Sequence, residues 1–205
     1  MSYGNNVNSP QGLVPSQYLN GVTYNGQPNP YLLASGYDTA IFSGDPVTFD
    51  NTGSIVIGAA NGPWVGVFGG VKYTDANGNY QFSKNWVANT ETKGDAPAQA
   101  LIYDDPWILF DIQASNSTAG NKYLIQANMG NNAAVVIGTG NTFNGLSTTY
   151  LDVNTILTTA ALPLKMIRFT PRPGNGPGSA TAQYNNALVL INNHIYKGGT
   201  GTAGV

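Results

Sequence analysis

Turn signals recur along this chain at intervals too short to hold a helix between them. Gly44-Asp45-Pro46, Asn51-Thr52-Gly53, Asn77-Gly78 and Asp104-Asp105-Pro106 each break a run rich in Val, Ile, Phe, Tyr or Thr. Runs of this kind, spaced by roughly 8 to 12 residues, are the mark of a β-sandwich or β-barrel. No apolar stripe of helical period extends over about ten residues, and the strand–helix alternation of a parallel sheet does not occur.

Composition agrees with the pattern and narrows the chemistry. Charged residues are 9% of the 205, against about 25% in ordinary soluble domains. The sequence has 25 asparagines, 26 glycines and a single glutamate, Glu91, so the polar residues that favour helix are scarce. Net charge is −2 with no Lys/Arg cluster, which leaves a nucleic-acid backbone without an electrostatic partner. A neutral surface rich in Asn, Thr and Gly suits a secreted β-protein, or a subunit that meets its neighbours through uncharged hydrogen bonds. Cysteine is absent, which excludes disulfides, thiolate nucleophiles and Cys-bound metals. The first residues lack the basic and apolar parts of a signal peptide. No apolar run approaches the ~20 residues of a membrane span. The expectation is a protein made in the cytoplasm that works without nucleic acid or membrane.

Four regions are expected. Residues 1–35 carry Pro10, Pro15, Pro28 and Pro30 among apolar side chains such as Val14, Tyr18, Leu19, Val22, Tyr24, Tyr31 and Leu32. This is too apolar for a linker and predicts an extended N-terminal arm lying on its own body or on a neighbouring chain. Residues 36–117 and 118–197 form two β-subdomains, each too small to bury much core alone and therefore packed together. Strands are expected at 98–103, 107–112, 122–129, 133–137, 162–173 and 184–196, with 150–157 open between a strand and a short helix. Gly66, Gly69 and Gly70 mark a strand bent by a bulge. Residues 198–205 are glycine-rich and predict a flexible tail. The fold class is all-β, with a barrel or sandwich body.

Candidate chemistry is sparse. His194 is the single histidine, and no Gly-x-Ser-x-Gly elbow supplies the serine that a triad needs. It is expected as a hydrogen-bonding residue at a strand end. Asp104 and Asp105 are neighbours and in a strand would point to opposite faces. With Pro106 they predict a turn between two strands, with Trp107 packed beneath. Asp45, Asp104, Asp105, Asp111 and Glu91 show no spacing that favours a glycosidase pair. Asp75, Asn77 and Asn79 begin like a calcium loop, but its sixth and twelfth positions are Tyr80 and Trp86 rather than Gly and Glu. No catalytic, cofactor or metal residue is therefore assigned. The aromatics Trp64, Phe68, Tyr73, Trp86, Tyr103, Trp107 and Phe110 could line a carbohydrate platform or fill a core. Exposed Trp64 and Trp107 would favour sugar binding, and buried ones a structural role.

Several segments together are similar to a family of proteins. "SGDPVTFDNTGSIVIGA", "GVFGGVKYTDANGNYQFSKNW", "ALIYDDPWILFDIQA" and "PLKMIRFTPRPGNG…YNNALVLINNHIY" resemble tailed-bacteriophage virion proteins described as head decoration, or cement, proteins. The resemblance runs from about residue 35 to 197. It implies β-barrel or sandwich subunits, often homotrimeric, that clamp neighbouring major capsid proteins on the outer surface of the head. It implies no enzyme and no cofactor. Tyr18, Tyr24, Tyr31 and Leu32 of the arm are the expected contact residues, since tyrosine is large, stiff and amphipathic. Two alternatives stay open: a carbohydrate-binding β-module of a tail fibre or adhesin, and another minor head or tail protein.

Overall fold

The structure, a computed structural model, describes residues 6–118 and 120–205. It is nearly all β: strand accounts for 39% of the chain and helix for 6%. The helical residues described are short 3-10 turns. In chain order the strands are β1 (Val14–Tyr18), β2 (Asn29–Leu33), β3 (Ile41–Phe42), β4 (Pro46–Phe49), β5 (Ile55–Ile57), β6 (Gly66–Thr74), β7 (Tyr80–Ser83), β8 (Asn85–Trp86), β9 (Ala98–Tyr103), β10 (Ile108–Ser115), β11 (Asn132–Ala133), β12 (Val135–Val136), β13 (Tyr150–Asp152), β14 (Leu164–Phe169) and β15 (Asn186–Ile191).

One sheet runs β11-β14-β15-β10-β13-β12, with β1 also paired to β10. Only Ala134 separates β11 from β12, so the two ends of this order are almost the same stretch of chain. The sheet therefore curls into a nearly closed barrel. Its interior follows from the two-residue period of a strand. Ile108, Phe110, Ile112 and Ala114 of β10 face inward with Ala187, Val189 and Ile191 of β15. The alternate residues Leu109, Leu188 and Leu190 form a second small buried cluster on the outside. Besides a two-stranded sheet of β3 and β8, a second large sheet runs β2-β9-β6-β4-β5, with β7 paired to the far end of β6. Its core holds Leu33, Ile41, Val47, Phe68, Val71, Trp86 and Ile102. Each such side chain contributes roughly 1.5–3 kcal/mol when fully buried. The expected bulge is present, since the register of β6 against β9 shifts between Phe68 and Gly70. Gly66 has to be glycine, because a Cβ there would strike the Tyr103 carbonyl oxygen.

The two sheets are not independent. Leu13, Trp64 and Val67 bury themselves in the barrel core, and Ile195 packs on the core of the other sheet. The chain passes between sheets at Asp104–Trp107. Hence β10, which falls within the expected first subdomain (36–117), lies in the barrel with strands of the expected second (118–197). Within the expected arm, the structure pairs β1 with β10 and β2 with β9, one strand to each sheet. Ahead of β1, Ser9 N donates to Gln113 Oε1 (3.0 Å) and Gln113 Nε2 donates to the Val7 carbonyl (2.9 Å). Residues 1–5 of that arm lie outside the described residues.

Two expectations for local structure change. Residues 122–129 are not a strand: Gln126–Asn128 is a 3-10 turn, and Ile125 N donates to the Asn128 side chain (2.7 Å). The backbone of Leu124 is instead held on both sides by one amide, donating to Asn185 Oδ1 (2.8 Å) and accepting from Asn185 Nδ2 (2.9 Å). The last residues are tied to the barrel rather than left loose. Thr202 N donates to Asn192 Oδ1 (2.9 Å), Asn132 Nδ2 to the Thr202 carbonyl (2.8 Å) and Gly204 N to the Thr158 carbonyl (2.7 Å). Residues 150–157 hold both open alternatives, β13 followed by the 3-10 turn Val153–Thr155.

Three segments meet at Asp45, which is 1% exposed. Its Oδ1 accepts from Ser147 Oγ (2.5 Å) and Thr149 Oγ1 (2.9 Å), and its Oδ2 accepts from Phe42 N (2.8 Å). Beside it Leu13 N donates to the Gly44 carbonyl (2.9 Å) and Ser147 N to the Ser43 carbonyl (2.8 Å). Gly12 has φ +73°, and a Cβ there would lie 2.5 Å from the Gly44 oxygen. Burial pushes the Asp45 carboxyl up, and hydrogen bonds from Ser147, Phe42 and Thr149 pull it back. Replacing Asp45 by Ala strands a buried N–H and two hydroxyls, each costing about 1–3 kcal/mol. The Asp45→Ala variant should lose about 3 kcal/mol or more of unfolding free energy in a urea titration. A loss under about 1 kcal/mol would mean that this junction does not hold the sheets together.

Candidate functional site

The turn between β9 and β10 is the most chemically varied surface of the fold. Asp104 follows β9 and accepts from Asn29 Nδ2 on both oxygens (2.8 and 3.1 Å) and from the Tyr31 hydroxyl. The Tyr31 hydroxyl also meets the Tyr196 hydroxyl at 2.8 Å. Burial, then the bonds to Asp104 and Tyr196, push the Tyr31 phenol well above its usual range. Asp105 faces another way: its Oδ1 accepts from Trp107 N (2.8 Å), the side-chain turn expected of Asp before Pro106. The two acids therefore act separately, each holding backbone or neighbours, and they do not form a carboxylate pair.

Trp107 is not packed beneath this turn. It is 53% exposed, whereas Trp64 and Trp86 are fully buried. The buried pair donate their indole N–H groups to the Ala59 carbonyl (2.8 Å) and the Tyr37 carbonyl (3.1 Å). Pro106 and the Asp105 bond turn the Trp107 ring outward, where Lys197 Nζ sits 5.0 Å from its centroid. The Trp107 carbonyl accepts from Leu19 N (3.0 Å). Tyr18, Leu19, Asn20, Asp105 and Trp107 then line an open pocket of about 490 Å³.

The four expected contact residues are placed differently from one another. Leu32 is 54% exposed. Tyr18 and Tyr24 stack against each other with centroids 5.5 Å apart, and Tyr24 meets Tyr103 edge-on at 5.6 Å. Burial, with the neighbouring Tyr18 and Tyr103, pushes the Tyr24 phenol up to about 12. Tyr31 packs on Phe49 and spends its hydroxyl on Asp104. Leu19 and Trp107, absent from that expectation, stand together at the surface. An Asp-Pro-Trp sequence after a strand end was the available signal, since Pro106 cannot continue the ladder.

His194 is fully buried at the end of the last strand region, where its backbone bridges to Trp64. Nδ1 accepts from Tyr196 N (3.1 Å), so the neutral ring carries its proton on Nε2. No serine hydroxyl or carboxylate is bonded to the ring among the described residues. Burial, aided by the Lys197 ammonium, pushes its pKa down to about 4 against the opposing pull of Asp104 and Asp105. The Asp75 loop is a hairpin turn whose carboxylate is taken by Asn79 N (2.9 Å) and Gln81 Nε2 (3.0 Å). Among the described residues no three His, Cys, Asp or Glu side chains gather as a metal site. Comparison with protein families, with curated proteins and with solved structures finds no match.

The neutral His194 of the fold must be set against an unfolded histidine that gains a proton below about 6.5. Its contribution is fully present above that value and is lost as pH falls toward about 4. The full span corresponds to about 3 kcal/mol. Urea titrations from pH 7 to 4 should show the wild type losing more stability than His194→Asn, whose side-chain oxygen can still accept from Tyr196 N. Parallel curves would place the pH dependence elsewhere.

Proposed function

We propose that this protein is a non-enzymatic structural component of a tailed-phage virion, a decoration protein bound to the outer surface of the head where major capsid subunits meet. The observation that carries this is the surface made by the N-terminal segment. Its strands are spent on the protein's own two sheets, yet they leave Leu19, Val22 and Leu32 exposed by 45, 57 and 54%. Apolar side chains on a segment so firmly paired are pre-organised for contact, which lowers the entropy lost on docking. The resemblance of residues 35–197 to head decoration proteins supplies the partner.

A homotrimer fits the same reading. Strand β7 is an edge strand, and Tyr80 and Phe82 on it are exposed. A neighbouring copy could cover them, since an uncovered apolar edge invites pairing. Threefold repetition of a modest patch then raises avidity without any single strong contact. Deleting the whole arm would remove β1 and β2, so point changes are the sounder test. Val22→Asp and Leu32→Asp should fold like the wild type and sediment at least tenfold less with purified heads of the parent phage. Unchanged sedimentation of both variants, or a wild type that ignores heads, would overturn the assignment.

A further inference from the structure

Trp107 is exposed, yet its backbone is held on both sides. Its N–H is held by Asp105 and its carbonyl by Leu19, and Lys197 covers one side of the ring. Lys197 is itself pinned, donating to the Ile191 carbonyl at 2.8 Å. A tryptophan fixed in this way loses little freedom when something stacks on its open side. Its indole N–H makes no hydrogen bond among the described residues, unlike those of Trp64 and Trp86.

The rim of the pocket narrows what can bind. Among the described residues, Asp105 uses one carboxylate oxygen for Trp107 N and leaves the other unbonded. Among the same residues, Asn20 uses its Oδ1 for Val22 N (3.1 Å) and leaves its amide N–H groups free. Around one flat apolar plate there are thus a free acceptor and two free donors. A purely apolar occupant would desolvate the Asp105 carboxylate with nothing in exchange. A cation would compete with Lys197 for the same ring electrons, and an anion would meet the Asp105 charge. The occupant that remains has a flat apolar face and a rim of neutral hydroxyls that both give and accept hydrogen bonds.

We infer that the pocket of Tyr18, Leu19, Asn20, Asp105 and Trp107 binds a neutral saccharide, with a pyranose ring stacked on the open side of Trp107. Its hydroxyls bond the free oxygen of Asp105 and the amide of Asn20. At about 490 Å³ the pocket has the size of small-molecule sites. The inference goes beyond head binding: Leu19 is common to both surfaces, but Val22 and Leu32, on which the head-binding test rests, do not line the pocket.

The test uses the intact protein on an array of neutral oligosaccharides built from hexoses and N-acetylhexosamines. The strongest binder is then titrated by isothermal calorimetry, which does not need the Trp107 indole as a reporter and so reads the wild type and every variant alike. Wild type should bind at least one neutral glycan, and Trp107→Ala should weaken it tenfold or more. Asp105→Asn retains an oxygen for the Trp107 N–H and so guards against a folding defect; it should also weaken binding about tenfold. Phe143→Ser, far from the pocket lining, should bind as wild type. No neutral glycan bound, binding only to sialylated or sulfated glycans added as controls, or binding that survives both pocket variants would overturn the inference.

Discussion

A buried carboxylate holds the two halves of this fold in register. Asp45 draws Phe42, Ser147 and Thr149 to one point, and the backbone pairs of Leu13 with Gly44 and Ser147 with Ser43 lie beside it. Among the described residues no cationic side chain acts on it, and hydrogen bonds from Ser147, Phe42 and Thr149 are what offset its burial. Such a group is costly to bury and more costly to leave unpaired. That asymmetry fixes the relative placement of the N-terminal segment, the β3–β4 turn and the chain entering β13.

The same economy explains the asparagines. Many strands here are two to four residues long, so backbone groups run out of strand partners before they reach solvent. Asparagine carries a donor and an acceptor in the geometry of a peptide and can stand in for one. Asn185 brackets Leu124, Asn175 brackets Asn186, and Asn132 with Asn192 captures the C-terminal residues. A composition that implied a surface built for neutral contacts is therefore partly an interior device. What does face outward includes isolated apolar groups such as Val22, Leu32, Phe82 and Phe143.

The strands and the all-β class were legible in the sequence because β-branched alternation and turn residues are local signals. The Asn77-Gly78 hairpin and the bulge of β6 use glycines in backbone conformations that other residues rarely adopt, Gly78 at φ +90° and Gly70 at φ +153°. The choice between the expected barrel and the expected sandwich was not legible. Barrel closure depends on β11 and β12 flanking one residue, and on β10 pairing with strands distant in sequence. Residues 122–129 looked like a strand because Leu124 and Ile125 are apolar, while the partner was the Asn185 side chain some sixty residues on. At the candidate site, Asp105-Pro106 was correctly seen as a turn. The neighbours of Trp107, Leu19 on its carbonyl and Lys197 over its ring, come from segments that local sequence could not place beside it.

The proposed head binding rests on apolar side chains left at the surface of a segment that is paired to both large sheets. Single-particle electron microscopy of the parent virion bears on this most directly. A barrel with a second sheet beside it should stand on the outside of the head, repeated at capsid-subunit junctions, with Val22 and Leu32 against the shell. The same density confined to the tail or one vertex, or missing from the particle, would contradict a role as a head decoration protein.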